Sequence, residues 1–255
     1  RIDDFKRELL DGIRATVGLI LIDFPTAYAA NPDEYLAKGL ALHDAYRHHP
    51  LIRTAFAPHA PYSVSDAPLD RVRVLADELD IPIHMHIHET VHEVEQAVQH
   101  SGKRPLARLQ ALGVVSPALL AVHMTQLTDD EIALCAANGV SVLHCPESNL
   151  KLASGFCPVQ KISAAGINVA LGTDGAASNN DLDMLGELRT AALLAKAVSG
   201  DASAVPAYQA LRMATLNGAI ALGLGAETGS LVPGKWADVC AVALDGIEGT
   251  PLYHP

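Results

Sequence analysis

Pro82-Ile83-His84-Met85-His86-Ile87-His88 is the stretch of sequence that decides the fold, because its short apolar run predicts a β-strand. Residues 91–99 follow with helical periodicity, and residues 119–123 form a second strand-like run. A strand, a helix and another strand in this order form a βαβ unit, whose crossover is right-handed and whose strands are parallel. The stretch therefore predicts an α/β protein with a parallel sheet.

The same alternation of strands and helices extends along most of the chain. Further strand-like runs lie at residues 13–22, 51–57, 140–143 and 167–171. Helical patterns lie at residues 33–46, 68–78, 129–137 and 158–165. A doubly wound sheet would have a glycine-rich phosphate loop after its first strand, and the sequence contains no GxGxxG or Walker-type motif. We therefore predict a TIM (β/α)8 barrel that lacks its first strands and shows six of the eight.

The character of the sequence changes after Asp174. Two Ala/Leu-rich helices are predicted at residues 184–198 and 205–222, and Pro233-Gly234 predicts a turn between two short strands. We therefore divide the chain into a partial barrel at residues 1–228 and the start of a small β-sandwich domain at residues 229–255. The chain begins without a methionine and stops after an apolar strand pattern, so we expect it to be a fragment of a longer protein.

The composition limits the classes of partner. The chain has 255 residues, of which 49% are hydrophobic and 18% charged, which is enough for one large buried core. A formal net charge of -11 argues against nucleic acid and anionic membranes as partners, and no apolar stretch is long enough to cross a bilayer. The four cysteines form no CxxC pair, so we expect free thiols and a reducing, cytoplasmic location.

Three histidines lie in the strand at residues 82–88. Because successive side chains of a strand alternate between its faces, we expect His84, His86 and His88 to point to the same side, toward the barrel interior. Neutral imidazole is a common ligand of zinc and iron, and burying several ionisable groups without a partner is costly. The cluster therefore predicts a metal site. The alternative is a set of polar residues that hydrogen-bond to one another in a wet barrel mouth.

Other candidate functional residues follow other strands. Asp174 comes just after the run at residues 167–171, among small residues that let a substrate approach closely, although it could instead cap the next helix. His123 and His144 end two further strands, and each could also be a packed polar residue. His59 lies at a strand exit stiffened by prolines, where it is suited to contact a ligand. In a closed barrel all these strand ends converge on one mouth.

Four motifs of this sequence occur together in a known family. They are His86-Ile87-His88-Glu89-Thr90, Ala121-Val122-His123, His144-Cys145-Pro146-Glu147-Ser148-Asn149-Leu150-Lys151-Leu152 and Gly172-Thr173-Asp174-Gly175-Ala176-Ala177-Ser178-Asn179-Asn180. In this combination the chain resembles the amidohydrolase superfamily of metal-dependent hydrolases. Within that superfamily it is most similar to the 5-methylthioadenosine/S-adenosylhomocysteine deaminases, which are hydrolases of the TRZ/ATZ type.

The resemblance implies roles for five side chains. His86 and Asp174 would bind one divalent metal ion, with Zn2+ as the first choice and Fe2+ as the alternative, and Asp174 would also take a proton from water. Glu89 would contact the substrate and transfer protons, His123 would orient the water, and His59 would contact the nucleoside. The implied reaction is hydrolytic deamination of the adenine ring of 5'-methylthioadenosine, S-adenosylhomocysteine or adenosine to the inosine analogue and ammonia. The implied partner is a small-molecule nucleoside, and assembly into a homo-oligomer is left open.

Two alternatives to this deaminase remain open. One is another hydrolysis on the same scaffold, acting on guanine-like or triazine rings. The other is a catalytically silent barrel that serves as a binding module, and the lack of the family's HxH motif favours it. In the family that motif provides the first two metal ligands at the end of the first barrel strand. His84-Met85-His86 lies on a later strand and does not replace it.

Overall fold

The computed structural model describes residues 12–243, which contain one parallel sheet and ten helices. The strands are β1 (Ala15–Leu21), β2 (Ile52–Pro58), β3 (Ile83–Ile87), β4 (Leu119–His123), β5 (Ser141–His144) and β6 (Val169–Leu171). The helices are α1 (Pro32–Tyr46), α2 (Asp66–Leu79), α3 (Val91–Ser101), α4 (Pro105–Ala111), α5 (Asp129–Ala137), α6 (Pro146–Lys151), α7 (Val159–Ala164), α8 (Met184–Ser199), α9 (Ala207–Ala214) and α10 (Leu216–Ala221).

The strand order in the sheet follows the order in the chain, from β1 to β6, and every neighbouring pair is parallel. A doubly wound sheet reverses its strand order at a switch point, whereas a (β/α)8 barrel does not. The observed order therefore agrees with the predicted barrel. Because the strands are parallel and neighbouring, all six carboxyl ends lie along the same edge of the sheet.

The two faces of β3 differ in their surroundings. Ile83, Met85 and Ile87 are buried in the hydrophobic core, whereas His84 and His86 lie on the opposite face and are partly exposed. This alternation is the period of two that a strand imposes on its side chains. It places the two imidazoles on the inner face of the barrel and the aliphatic side chains on the face that packs against the helices.

Helix caps fix the loops that follow the strands. The Thr90 side chain accepts a hydrogen bond from the backbone N–H of Glu93 and so caps α3, which begins three residues after His88. Thr128 and Glu131 form a reciprocal capping box at the start of α5. Each such cap stabilises a helix by about 1 kcal/mol. The turns after β3 and β4 are thereby held in place at the edge where the site lies.

Some helices differ from the sequence-based expectation. The helix predicted at residues 205–222 is divided into α9 and α10, because Thr215 has a non-helical backbone with φ -131° and ψ -92°. Two short helices, α4 and α6, were not expected, and each begins with a proline at the first helical position. Proline is favoured there because its missing N–H has no partner at a helix start.

The C-terminal part of the described chain packs beside the start of β1. Arg14 Nε donates a 2.7 Å hydrogen bond to the Asp238 carboxylate, and its guanidinium lies 3.7 Å from the ring centre of Trp236. The predicted turn at Pro233-Gly234 is present, but residues 229–243 contain no strand. Residues 244–255 lie outside the described residues, as do residues 1–11. The division into a barrel and a β-sandwich domain therefore stays a prediction.

None of the helices in residues 12–243 has both the length and the apolar character needed to cross a lipid bilayer.

Candidate active site at the carboxyl ends of the strands

The imidazole rings of His59, His86 and His123 meet at the carboxyl ends of β2, β3 and β4, and His84 lies two residues before His86 on the same face of β3. The ring centre of His86 lies 5.4 Å from that of His59, 5.3 Å from that of His123 and 6.4 Å from that of His84. Burial lowers the pKa of His86, and the neighbouring His123 lowers it further, although the charge of Asp174 acts in the opposite direction. Burial also lowers the pKa of His84, to about 4. Both rings are therefore neutral at pH 7.

One ring nitrogen of His86 is hydrogen-bonded to the backbone. Its Nδ1 lies 2.9 Å from the carbonyl oxygen of His59, which can only accept a hydrogen bond. The proton of the neutral ring is therefore on Nδ1, and the lone pair of Nε2 is free. This is the arrangement in which an imidazole binds a metal through one nitrogen while the other is held by a carbonyl.

His88 does not share the inner face with His84 and His86, so this part of the prediction was wrong. The residue lies beyond the end of β3 with φ 53°, a left-handed backbone that changes the direction of the side chain. The ring is fully buried, and its Nε2 accepts a hydrogen bond from the Leu106 backbone N–H. Its Nδ1 lies 3.3 Å from the carbonyl oxygen of Gln126. His88 therefore has a structural role between loops.

Glu89 follows His88, and its backbone is held firmly. The buried carboxylate of Glu93 accepts hydrogen bonds from the backbone N–H groups of His88 (3.1 Å) and Glu89 (2.7 Å). The Thr125 hydroxyl donates to the Glu89 carbonyl oxygen at 2.6 Å. One carboxylate oxygen of Glu89 accepts a hydrogen bond from Ser154 at 3.3 Å, and the other is directed toward His123. The Glu89 side chain is 21% exposed, so a substrate in the mouth can reach it.

His123 is buried and faces Glu89. Its Nδ1 lies 2.9 Å from the side-chain oxygen of Asn149, and its Nε2 lies 3.8 Å from a carboxylate oxygen of Glu89. The residue has φ 73°, and Met124 after it has φ 51°. These two left-handed residues end β4 abruptly and direct the imidazole toward the mouth. A gap of 3.8 Å between His123 and Glu89 is wider than a hydrogen bond, so a reacting group can lie beside both.

Asp174 lies three residues after β6 and is held by three donors. Its carboxylate accepts hydrogen bonds from the hydroxyls of Ser148 and Ser178 and from the backbone N–H of Gly175, all at 2.7 Å. Burial raises the pKa of Asp174, but these hydrogen bonds outweigh it and the net pKa is lowered. The carboxylate is therefore ionised at neutral pH. Asp174 does not cap the following helix, because the N-cap of α8 is Asp183.

His59 completes the cluster on the side of β2. Its Nδ1 lies 2.9 Å from the Ser63 hydroxyl, and its ring makes an edge-to-face contact with Tyr62. Burial lowers the pKa of His59, and the neighbouring His86 lowers it further. Tyr62 is 65% exposed. The pair therefore offers an aromatic surface to a molecule that enters the mouth.

His144 is placed differently from the other strand-end histidines. It is fully buried, and neither ring nitrogen has a hydrogen-bond partner within residues 12–243. Burial lowers its pKa to about 3, so the ring is neutral. Sequence reasoning assigned no role to Ser148, Asn149 and Ser154, which contact Asp174, His123 and Glu89. Ser148 and Asn149 could have been noticed in the sequence, because they form the Ser-Asn pair inside the motif that begins at His144.

His86 and Asp174 suit a divalent metal ion, but they do not enclose one by themselves. Within the described residues, no group of three or more His, Cys, Asp or Glu side chains is arranged to hold a metal ion. The free Nε2 lone pair of His86 and the ionised Asp174 carboxylate are donors that zinc and iron accept. These two residues therefore fit part of a metal site and do not complete one.

Known proteins resemble this chain along nearly its whole length. A 5-methylthioadenosine/S-adenosylhomocysteine deaminase from Teredinibacter turnerae is 54% identical over 96% of this chain and 55% of its own length. The crystal structure of an adenosine deaminase from Xanthomonas campestris with bound zinc has a TM-score of 0.95 and 59% identity, over 97% of this chain and 56% of that one. An atrazine chlorohydrolase from Arthrobacter aurescens complexed with zinc has a TM-score of 0.89 and 28% identity, over 100% and 59%.

The chain thus spans little more than half the length of these relatives. Their structural likeness confirms the predicted α/β fold of the TIM-barrel hydrolases. The sequence model of the amidohydrolase family matches residues 2–253, which confirms the resemblance drawn from the motifs. The chain belongs to the amidohydrolase family.

Proposed function

We propose that the protein of which this chain is part deaminates the adenine ring of a nucleoside by hydrolysis. The observation that carries the proposal is the pairing of Glu89 and His123 across a 3.8 Å gap, with His86 beside His123. A carboxyl group at the rim can protonate a ring nitrogen, and a neutral imidazole nitrogen can accept a hydrogen bond from water. Replacing an amino group on an aromatic ring by oxygen requires both a proton donor to the ring nitrogen and an acceptor that orients the attacking water.

The site fits one divalent metal ion, for which zinc is our first choice. His86 would bind it through Nε2 and Asp174 through its carboxylate. The chemistry that such an ion supplies when bound is the lowering of the pKa of water toward about 7. Two relatives whose structures contain zinc support the choice of metal.

The side chains of this chain then divide the work of the reaction. His123 Nε2 accepts a hydrogen bond from a water molecule and orients it, and the Asp174 carboxylate takes one of its protons as the oxygen bonds to C6 of the ring. Glu89, as the carboxylic acid, delivers a proton to N1, which receives the electron pair from the C6–N1 double bond. Glu89 then takes the remaining proton of the new hydroxyl group on C6 and carries it to the amino group. The bond between C6 and the amino nitrogen breaks as the C6–O double bond forms, the products are ammonia and the 6-oxo purine, and the proton on Asp174 returns to Glu89. Positioned proton transfer of this kind contributes about 10²–10⁴-fold in rate.

The substrate is proposed to be 5'-methylthioadenosine, S-adenosylhomocysteine or adenosine. The names of the deaminase relatives support this choice, at 54% and 59% identity. A triazine substrate has the weaker support of a chlorohydrolase at 28% identity. His59 and the exposed Tyr62 ring would contact the nucleoside at the mouth.

The proposal is tested by a parallel assay of the protein produced from its complete gene. Purified protein with measured zinc is offered 5'-methylthioadenosine, S-adenosylhomocysteine, adenosine, guanine and a chlorotriazine, and release of ammonia or chloride is followed. We expect ammonia from the three adenine compounds. Turnover of guanine or chlorotriazine alone would reject the adenine ring as substrate. A zinc-loaded protein that turns over none of the five would favour the silent binding module.

We also propose a cytoplasmic location, supported by Cys135, Cys145, Cys157 and Cys240, which are all free thiols. The expectation that nucleic acid and membranes are not partners stays a prediction from the net charge of -11. The oligomeric state stays open. These points are checked by localisation of the tagged protein and by its mass in solution.

A further inference from the structure

One short stretch of chain contacts all three side chains to which the proposed reaction assigns proton transfers. Between β5 and α7, Ser148 donates to Asp174 Oδ2 at 2.7 Å. The next residue, Asn149, has its side-chain oxygen 2.9 Å from His123 Nδ1. Ser154 donates to Glu89 Oε1 at 3.3 Å. The exposed fractions of Ser148, Asn149 and Ser154 are 0%, 1% and 4%, so water does not compete for these hydrogen bonds.

The stretch is held rigidly by its own backbone and by its neighbours. Ser154 N–H donates to the Asn149 carbonyl oxygen at 2.9 Å, which closes the turn after α6. The Ser154 carbonyl oxygen accepts a hydrogen bond from the Gln126 side chain at 2.9 Å. Lys151 Nζ donates to Asn180 Oδ1 at 2.7 Å and thereby joins α6 to the loop that carries Asp174. Asn149 is therefore fixed relative to the reacting side chains.

We propose that Asn149 is a positioning residue that sets the tautomer of His123. The amide oxygen of Asn149 accepts a hydrogen bond from Nδ1–H, so a ring with a single proton carries none on Nε2. The bare Nε2 is directed toward Glu89 and is able to accept a hydrogen bond from water. With the proton on Nε2, the ring could only donate at that position. The catalytic role of this tautomer rests on the proposed function, whereas the position of the proton on His123 depends only on the contact with Asn149.

The unmatched half of the Asn149 amide argues against a purely structural role. Its Nδ2 group is buried and has no hydrogen-bond partner among the described residues. Leaving a buried donor unsatisfied costs about 1–3 kcal/mol, and an apolar residue of the same shape would avoid that cost. The asparagine is therefore unfavourable for stability at this position except for what its oxygen does for His123.

The test compares Asn149→Leu, which removes the acceptor at similar size, with Asn149→Asp, which keeps it. Asn138→Leu is the matched control, because Asn138 follows α5 and its side-chain amide donates to the Leu134 carbonyl oxygen, away from the three reacting side chains. The protein from the complete gene is labelled with ¹⁵N, and the ring signals of His123 are assigned by their loss in His123→Gln. We expect a proton on Nδ1 in the parent protein and in Asn149→Asp, and a shift toward Nε2 in Asn149→Leu.

The kinetics provide the second readout. In Asn149→Leu we expect kcat to fall about 10- to 100-fold, as is typical for partners that orient a reacting or ligating group, while KM and zinc content stay unchanged. Asn149→Asp should restore most of kcat, and Asn138→Leu should retain it. Thermal unfolding shows that each variant is folded. Should Asn149→Leu not fold, the ring spectrum of the parent protein and the kcat of Asn149→Asp still decide.

A proton on Nε2 of His123 in the parent protein would overturn the proposal, as would an undiminished kcat in folded Asn149→Leu. Failure of the proposed function is a separate outcome. If no adenine nucleoside is turned over, the ring spectra alone still show whether Asn149 sets the tautomer.

Discussion

The Nδ1 atom of His86 donates a 2.9 Å hydrogen bond to the backbone carbonyl oxygen of His59. A hydrogen bond to backbone cannot be removed by changing the His59 side chain, so this tautomer of His86 is fixed by the path of the chain. His84 lies on the same strand face, with its ring centre 6.4 Å from that of His86. The two histidines can therefore be compared as the proposed metal ligand and its neighbour.

We expect His86→Ala to lose most of its zinc and His84→Ala to retain it. The His59 carbonyl oxygen orients the His86 ring at the point where the rings of His59, His86 and His123 meet. Zinc per chain is measured by elemental analysis after gel filtration, and far-ultraviolet circular dichroism checks folding. Equal loss of metal from the two variants would show that the ligand is misassigned.

We expect Glu89→Gln to abolish deamination, by about 10²–10⁴-fold in kcat, without loss of metal. The amide cannot transfer a proton, although its oxygen can still accept from Ser154. Glu95→Gln makes the same chemical change on the exposed side of α3 and should leave the rate unaltered. Zinc analysis accompanies the assay, because a metal-depleted Glu89→Gln protein would mean that Glu89 is a ligand.

The contribution of Glu187 to stability should fall as the pH rises from about 4.5 to 7. Burial raises the pKa of this fully buried carboxyl from 4.5 to about 7, although the Glu147 N–H and the Asn179 side chain donate to it. The folded state therefore binds the proton more tightly than the unfolded state. Ionising Glu187 in the folded protein therefore costs stability. This cost is absent below the pKa of Glu187 in the unfolded chain and complete above its pKa in the folded protein, and it amounts to about 1–3 kcal/mol.

Urea unfolding at several pH values measures this effect as a slope. Between pH 5 and 7, the slope of the free energy of unfolding against pH should be more positive for Glu187→Gln than for the parent protein. Glu78→Gln, on the exposed face of α2, should keep the parent slope. Parallel slopes for Glu187→Gln and the parent protein would contradict the raised pKa.

One thiol per chain should react rapidly with a disulfide reagent under native conditions, and four should react in denaturant. Cys240 is exposed, whereas Cys135, Cys145 and Cys157 are buried. Burial raises the pKa of all three buried thiols, that of Cys135 to about 12, so little thiolate is present. Fast labelling of more than one thiol in the folded protein would show that a buried cysteine becomes accessible.

Much of the framework could be predicted from sequence, because it follows from local patterns. The strand that contains His86 is visible as a short apolar run, and parallel strands bring their carboxyl ends to one edge. The direction of the His88 ring could not be predicted, because it depends on one left-handed backbone angle beyond the strand end. The break at Thr215 likewise depends on the backbone of a single residue inside a helical pattern.

The contacts that position the reacting side chains were also beyond sequence reasoning. Ser148 lies 26 residues from Asp174, and Ser154 lies 65 residues from Glu89. Serine and asparagine are common in loops for local reasons, so their presence there indicates a turn rather than a long-range partner. The loops that carry these residues come together only when the strands have formed the sheet and their carboxyl ends lie side by side.

His88, His123, Met124 and Asp174 at the barrel mouth all have a left-handed backbone. For residues other than glycine each such conformation costs about 1–2 kcal/mol, which the surrounding packing must offset. Selecting variants for heat resistance alone would therefore first favour substitutions that remove the left-handed backbone at these residues of the barrel mouth. An evolution campaign that scores only melting temperature should accumulate substitutions here and lose turnover, whereas one that scores turnover should leave the rim untouched.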